Sequence, residues 1–167
     1  MPSQEATLIF VHASFATFSR TAAIASSVAA AVLGLCSCTR PVAIPVPSPT
    51  SSLAAQACDQ LAKSVPATLL GKERRDVQPA SVNTAAWGTP AITLRCGTSP
   101  PAGLIATSEL ITVNGVDWFP ERRSAGFVFT TTGRVATIEV AVPDRYRPET
   151  NVLPELAGAV AAADPVI

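Results

Sequence analysis

The residues of this chain able to do chemistry are four cysteines, one histidine, twelve carboxylates, twelve cations and the hydroxyls. Two of the cysteines lie in Leu35-Cys36-Ser37-Cys38, directly behind Arg20 and an uncharged apolar run, Thr21–Leu35. A leucine three places ahead of a cysteine, with a small residue just before it, marks a thiol that receives a diacylglyceryl group, after which the chain is cut on its N-terminal side. Cys38 has Leu35 and Ser37 in those places, whereas Cys36 follows the bulky Leu35 directly, so Cys38 is the predicted lipidation site. A Cys-x-Cys pair also suits a metal or redox centre, but the end of an export signal is a poor place for one.

The other two thiols, Cys58 and Cys96, are left as a pair after such processing. An exported chain meets an oxidising compartment, which favours a disulfide over a metal site. Closing a loop of about 39 residues stabilises a small domain by roughly 3 to 4 kcal/mol in the chain-entropy model. The alternative is two inert buried thiols.

Histidine chemistry is confined to His12, inside the segment predicted to be removed. Without it neither Ser-His-Asp or Cys-His catalysis nor a His-based zinc site can be assembled. No phosphate-binding loop or dinucleotide fingerprint occurs. Pairs drawn from Glu109, Asp117, Glu121 and Glu139 could in principle hydrolyse a glycosidic bond. Each of them falls in or beside an amphipathic strand or turn, where a solvated acid is the ordinary role. Lys63 and Lys72 are the only lysines and neither sits in a Ser-x-x-Lys motif. The residues therefore predict no catalytic group, no cofactor and no metal.

These groups need elements to position them. The apolar run is shorter than the roughly 20 residues that span a bilayer, so residues 1–37 read as a cleaved signal peptide, with an uncleaved N-terminal anchor as the alternative. The stretch ahead of Arg20 is long for such a signal and holds Glu5; initiation at the codon of Val11 would shorten it. Residues 38–52 are rich in Pro, Ser and Thr, cannot build a core, and are predicted as an extended, mobile tether. Residues 53–167 have the size of one domain with one core. Twelve basic residues balance twelve acidic ones without a long run of either sign, which removes the electrostatic footprint of nucleic-acid binding. The short clusters Lys72–Arg75 and Arg122-Arg123 suit solvated loop surface, or a contact with anionic headgroups or wall phosphate.

Within the domain, Ala54, Ala57, Cys58, Leu61, Ala62 and Val65 repeat at helical spacing behind Ser51 or Ser52 as a cap. Alternation over 91–96 predicts a strand with Ile92, Leu94 and Cys96 on one face and Arg95 on the other, so both thiols point into one core. Asn114-Gly115 predicts a tight hairpin matching Val113 with Val116 and Ile111 with Trp118. That places Trp118 in the core. A second hairpin around Thr132-Gly133 would set Phe127 and Phe129 opposite Ile138 and Ala136. Leu153, Leu156, Ala157 and Val160 then mark a C-terminal helix, with Pro154 tolerated in its first turn. The predicted fold is a small two-layer α+β domain, an antiparallel sheet of about five strands with both helices on one face. Its other face would carry Arg95, Thr112, Asp117, Thr130, Val135, Thr137 and Glu139. Trp87 is predicted in a loop, where it could line a pocket or interface with Arg74, Arg75 and Arg95 nearby for anion contacts. Ordinary surface ion pairs would account for those arginines equally well.

Several blocks carry a resemblance. Ala86-Trp87-Gly88-x-Pro90, Leu94-Arg95-Cys96-Gly97, Val113-x-Gly115-Val116-x-Trp118, Phe129-Thr130-Thr131, Arg134 and Glu139-Val140 resemble an actinobacterial family of domain-of-unknown-function proteins, number 3515. Cys58, Leu61, Val65-Pro66 and Arg74-Arg75 are similar to its N-terminal part. The resemblance implies a secreted or membrane-anchored envelope protein and supplies no activity. The expected function is accordingly a non-catalytic binding or accessory domain, lipid-anchored at the outer face of the cytoplasmic membrane. Its binding surface would draw on Trp87, Arg95, Arg74, Arg75 and Asp117, and its partner would be an envelope protein or wall polymer. A carboxylate-dependent wall hydrolase and a carrier of an apolar ligand are the alternatives.

Overall fold

A computed structural model describes residues 40–167; the predicted signal peptide, His12, Cys36 and Cys38 lie outside them. The first helix, α1 (Ser52–Ser64), starts where the Ser51 hydroxyl accepts the Ala54 amide at 3.1 Å. It stops at Val65, because the following Pro66 disfavours helical backbone in the residue before it. Ala54, Ala57, Cys58 and Leu61 are buried, as their spacing predicts. The second helix, α2 (Val152–Ala163), buries Leu153, Leu156, Ala157 and Val160. The two helices pack against one another, and α2 also touches the last strands of the sheet.

Short strands β1 (Val42–Ala43), β2 (Thr68–Leu69), β3 (Lys72–Glu73) and β4 (Val77–Gln78) flank the main sheet. That sheet contains β5 (Thr84–Trp87), β6 (Ile92–Cys96), β7 (Ile111–Val113), β8 (Val116–Arg123), β9 (Gly126–Thr131) and β10 (Ile138–Pro143). It is antiparallel throughout, in the order β5-β6-β10-β9-β8-β7. One face presents Trp87, Ile92, Leu94, Cys96, Ile138, Val140, Phe129 and Trp118, which form a single core with the apolar stripes of both helices. Cys58 of α1 and Cys96 of β6 are disulfide-bonded, with Cα atoms 5.6 Å apart, so a covalent bond ties helix to sheet.

Six strands stand where about five are predicted, and the added one is β5. All four of its residues are buried, so it carries no polar–apolar alternation to announce it. Strand β8 accommodates Pro120 because it has by then run past the end of β7: its pairing with that neighbour closes at Trp118.

The tether expected over 38–52 behaves differently from a free spacer. Val42 and Ala43 pair in parallel with Val77 and Gln78, and Ile44 is only 3 % exposed. The Asn83 side-chain amide donates to the Pro47 carbonyl at 3.4 Å, and Pro49 abuts Gly97. Proline-rich backbone forms no core of its own, but its extended shape suits it to add along an existing edge.

The second hairpin is also corrected. Val140, not Ala136, lies opposite Phe129, and Val142 lies opposite Phe127. Instead of a tight turn at Thr132-Gly133, residues 132–137 form a loop whose Val135 amide bonds the Pro165 carbonyl and whose Ala136 amide bonds Asp164. The displacement is an even number of residues, so both phenylalanines stay on the predicted face.

Candidate functional site

The residues predicted to share one binding surface are dispersed. Trp87 ends β5 rather than standing in a loop, and its ring is fully buried. Its indole N–H donates to the Pro66 carbonyl at 3.0 Å, and the Arg74 guanidinium caps the ring at 5.5 Å. It therefore offers no surface to a ligand, and its role here is packing. Arg75 is a clamp: its guanidinium donates to the Gly88 carbonyl at 3.1 Å, to the Thr89 hydroxyl at 3.0 Å and to the Arg40 carbonyl.

Arg95 lies on the opposite face of the sheet, paired with Glu139 at 3.1 Å directly across the β6–β10 ladder. Asp117, three strands further along, accepts the Thr112 hydroxyl at 2.6 Å. Glu121 is held by Arg123 at 3.0 Å, and Glu109 is exposed in the loop before β7. Glu121 and Glu139 share a face, with Cα atoms roughly 12 Å apart by strand spacing, and each is engaged by its own arginine, Arg123 and Arg95.

The face bearing Arg95 and Glu139 is less open than its sequence implies. The link from β6 to β7, residues 97–110, has to cross the three strands lying between them. It does so over this face: a first side-chain carbon at Gly103 would sit 3.8 Å from the Phe119 ring. Thr130, beneath, is only 2 % exposed. Arg95 Nε is buried without a hydrogen-bond partner among the described residues.

Two features escaped the sequence. The first is a cleft of about 240 Å³ lined by Ile111, Pro120, Phe127, Phe129, Pro148 and Glu149. It is almost wholly apolar: Phe127 and Phe129 stack with centroids 5.8 Å apart, and the Arg122 guanidinium lies 5.1 Å above Phe127. Glu149 is largely buried and stands 3.4 Å from Arg147, which also pairs with Asp144 at 2.9 Å. The hydrogen bond from Arg147 is the main reason the Asp144 carboxyl titrates below its ordinary range. The alternation of β9 marks both phenylalanines as core, and nothing local signals that the helices leave Phe127 half uncovered.

The second is a buried latch. Arg134 donates to the Asp164 carbonyl and, at 2.8 Å, to the Gly115 carbonyl, while the Asp164 carboxylate accepts the Ala136 amide at 2.8 Å. Burial pushes the Asp164 carboxyl above its ordinary range, against the lowering pull of the Ala136 amide and the Arg134 charge. These partners are all internal, so the latch is a structural device.

Among the described residues no His, Cys, Asp or Glu cluster could hold a metal ion, and no helix is long and apolar enough to cross a membrane. No curated protein and no solved structure matches the chain. A family model described as protein of unknown function, DUF3515, matches residues 17–166. That span takes in α1, the sheet, the disulfide and α2 together, and the chain belongs to the DUF3515 family.

Proposed function

We propose that this protein is exported, anchored by an acyl group on Cys38 at the outer face of the cytoplasmic membrane, and acts as a non-catalytic binding or accessory domain. The observation that carries the non-catalytic reading is the pairing of its acids. Asp117, Glu121 and Glu139 are each engaged by a neighbouring Thr or Arg and do not converge on one cavity. The Cys58–Cys96 disulfide supports export, since such bonds persist in oxidising compartments. Both helices on the core face and a strapped opposite face suit a scaffold that presents loops and edges rather than a reaction centre.

The test is complementation of a deletion strain with Glu109→Gln, Asp117→Asn, Glu121→Gln and Glu139→Gln, one at a time. Full rescue by all four is expected. Loss of rescue by a variant that retains its disulfide and its wild-type melting temperature would instead favour a carboxylate hydrolase.

A second reading, carriage of an apolar ligand, is favoured by the cleft beside Phe127 and Phe129. Its lining is apolar and its volume suits a small group or the end of a chain. Organic extraction of protein purified from its own membranes should release a stoichiometric apolar compound under this reading. An empty extract removes it.

A further inference from the structure

The docked segment 40–49 has a consequence for how the domain meets a membrane, and the consequence rests on the attachment at Cys38 proposed above. Arg40 is already fixed to the domain, because its carbonyl is held by Arg75 and the next residues pair with β4. Two residues of extended chain span at most about 7 Å. An acyl group on Cys38 would therefore leave almost no slack between bilayer and domain.

The part of the domain brought closest carries Arg40, Lys72, Arg74 and Arg75 around the β5 end at Trp87 and Gly88. With Glu73 and Asp76 counted, these six residues sum to +2. None of the four cations forms an ion pair with a carboxylate among the described residues. Arg40, Lys72 and Arg74 are exposed, and Arg75 is immobilised by its three acceptors. A Debye length of about 8 Å keeps such charges within reach of a surface at this distance.

We propose that this edge is a docking surface for anionic lipid headgroups, so that the protein lies on the bilayer in one orientation instead of swinging on a flexible stalk. Lipid is favoured over wall polymer because the covalent reach places the cluster at the bilayer, and basic residues so placed are each attracted to anionic lipid.

The full chain, purified with its membrane attachment, is reconstituted into vesicles of phosphatidylcholine with phosphatidylglycerol. A fluorophore is carried on Glu73→Cys, or for comparison on Glu109→Cys in the loop before β7, and a nitroxide-bearing lipid acts as quencher. Quenching at position 73 should exceed that at 109 severalfold. The contrast should collapse with Arg40→Gln and Arg74→Gln combined, and in phosphatidylcholine alone. Equal quenching at the two positions, or a contrast indifferent to these charges, overturns the proposal. The intact mass of the same preparation reads acylation of Cys38 separately. A chain without the acyl group would sink the lipoprotein reading, while the quenching contrast would still decide the docked edge.

Discussion

The two hairpins of the sheet are held by different means. Between β7 and β8 the register is local: Asn114 and Gly115 both adopt positive φ, 49° and 76°, and pairing runs outward as Val113 with Val116 and Ile111 with Trp118. The two positive-φ residues close this turn locally, and Arg134 of the other loop adds a hydrogen bond to the Gly115 carbonyl. Between β9 and β10 the loop 132–137 is pinned by the C-terminal segment, and the ladder follows from where that segment holds it. A turn can specify register when its own backbone closes the ladder. A longer loop leaves the register to whatever the loop touches.

Removing the pin should separate the two hairpins most sharply. Arg134→Ala strands the buried Asp164 carbonyl, leaves the exposed Gly115 carbonyl to water, and should cost about 2 to 3 kcal/mol, given the worth of hydrogen bonds to a charged donor. Amide exchange should quicken in β9 and β10 first, with a smaller rise around the β7–β8 turn, where Gly115 loses its Arg134 partner. Uniform loss of protection would mean that the latch serves the whole domain and not this register. Because the even displacement preserves faces, the freed ladder has an alternative close at hand, with Phe129 opposite Ala136.

Asp164 offers a pH-dependent version of the same test. Its folded-state value is raised, so the native state holds a proton over the window from the ordinary carboxylate value up to the raised one. Stability from this group is present below that window and falls as pH rises through it. Asp164→Asn keeps an acceptor for the Ala136 amide and cannot ionise. Its urea midpoint relative to wild type should climb as pH rises from the ordinary carboxylate value through the raised one. A difference that stays flat with pH would show that burial does not govern this carboxyl.

The local hairpin should respond more weakly and only locally. Gly115→Ala places a side chain at positive φ, with open space around it, and should cost about 1 kcal/mol. Thermal unfolding measures it, and exchange in β9–β10 should be unaffected. Smallest of all, Glu139→Gln breaks a partly exposed pair with Arg95 on the ladder between β6 and β10. A loss of under about 1 kcal/mol is expected. A larger loss would mean that the crossing link 97–110 shields this pair more than its exposure suggests.

How much was legible in the residues follows the same division. The α1 stripe, its Ser51 cap, the Cys58–Cys96 bond and the Asn114-Gly115 hairpin were readable because each depends on neighbours a few positions away or on a chemically distinctive pair. Strand β5 was not, because burial on both sides erases the alternation that reports a half-buried strand. Trp87 went with it: a tryptophan after a run of small residues and before Gly88 looks like a loop residue until the strand exists to carry it inward. The cleft was hidden for the converse reason. Phe127 obeys the core alternation, and its partial exposure is set by segments distant in the chain, among them Pro148 and Glu149 across the cleft.

By itself the sequence determined the α+β class, both helices, the strands that alternate and the apolar side of each, because periodicity and turn chemistry act over a few residues. Only the tertiary structure decided the register of β9 on β10, the burial of Trp87 and the docking of residues 40–49. In each of those cases the partners are distant in the chain. Arg134 with Asp164, Trp87 with Pro66 and Val42 with Val77 are brought together only by the tertiary fold, and their hydrogen bonds override what the local pattern would choose.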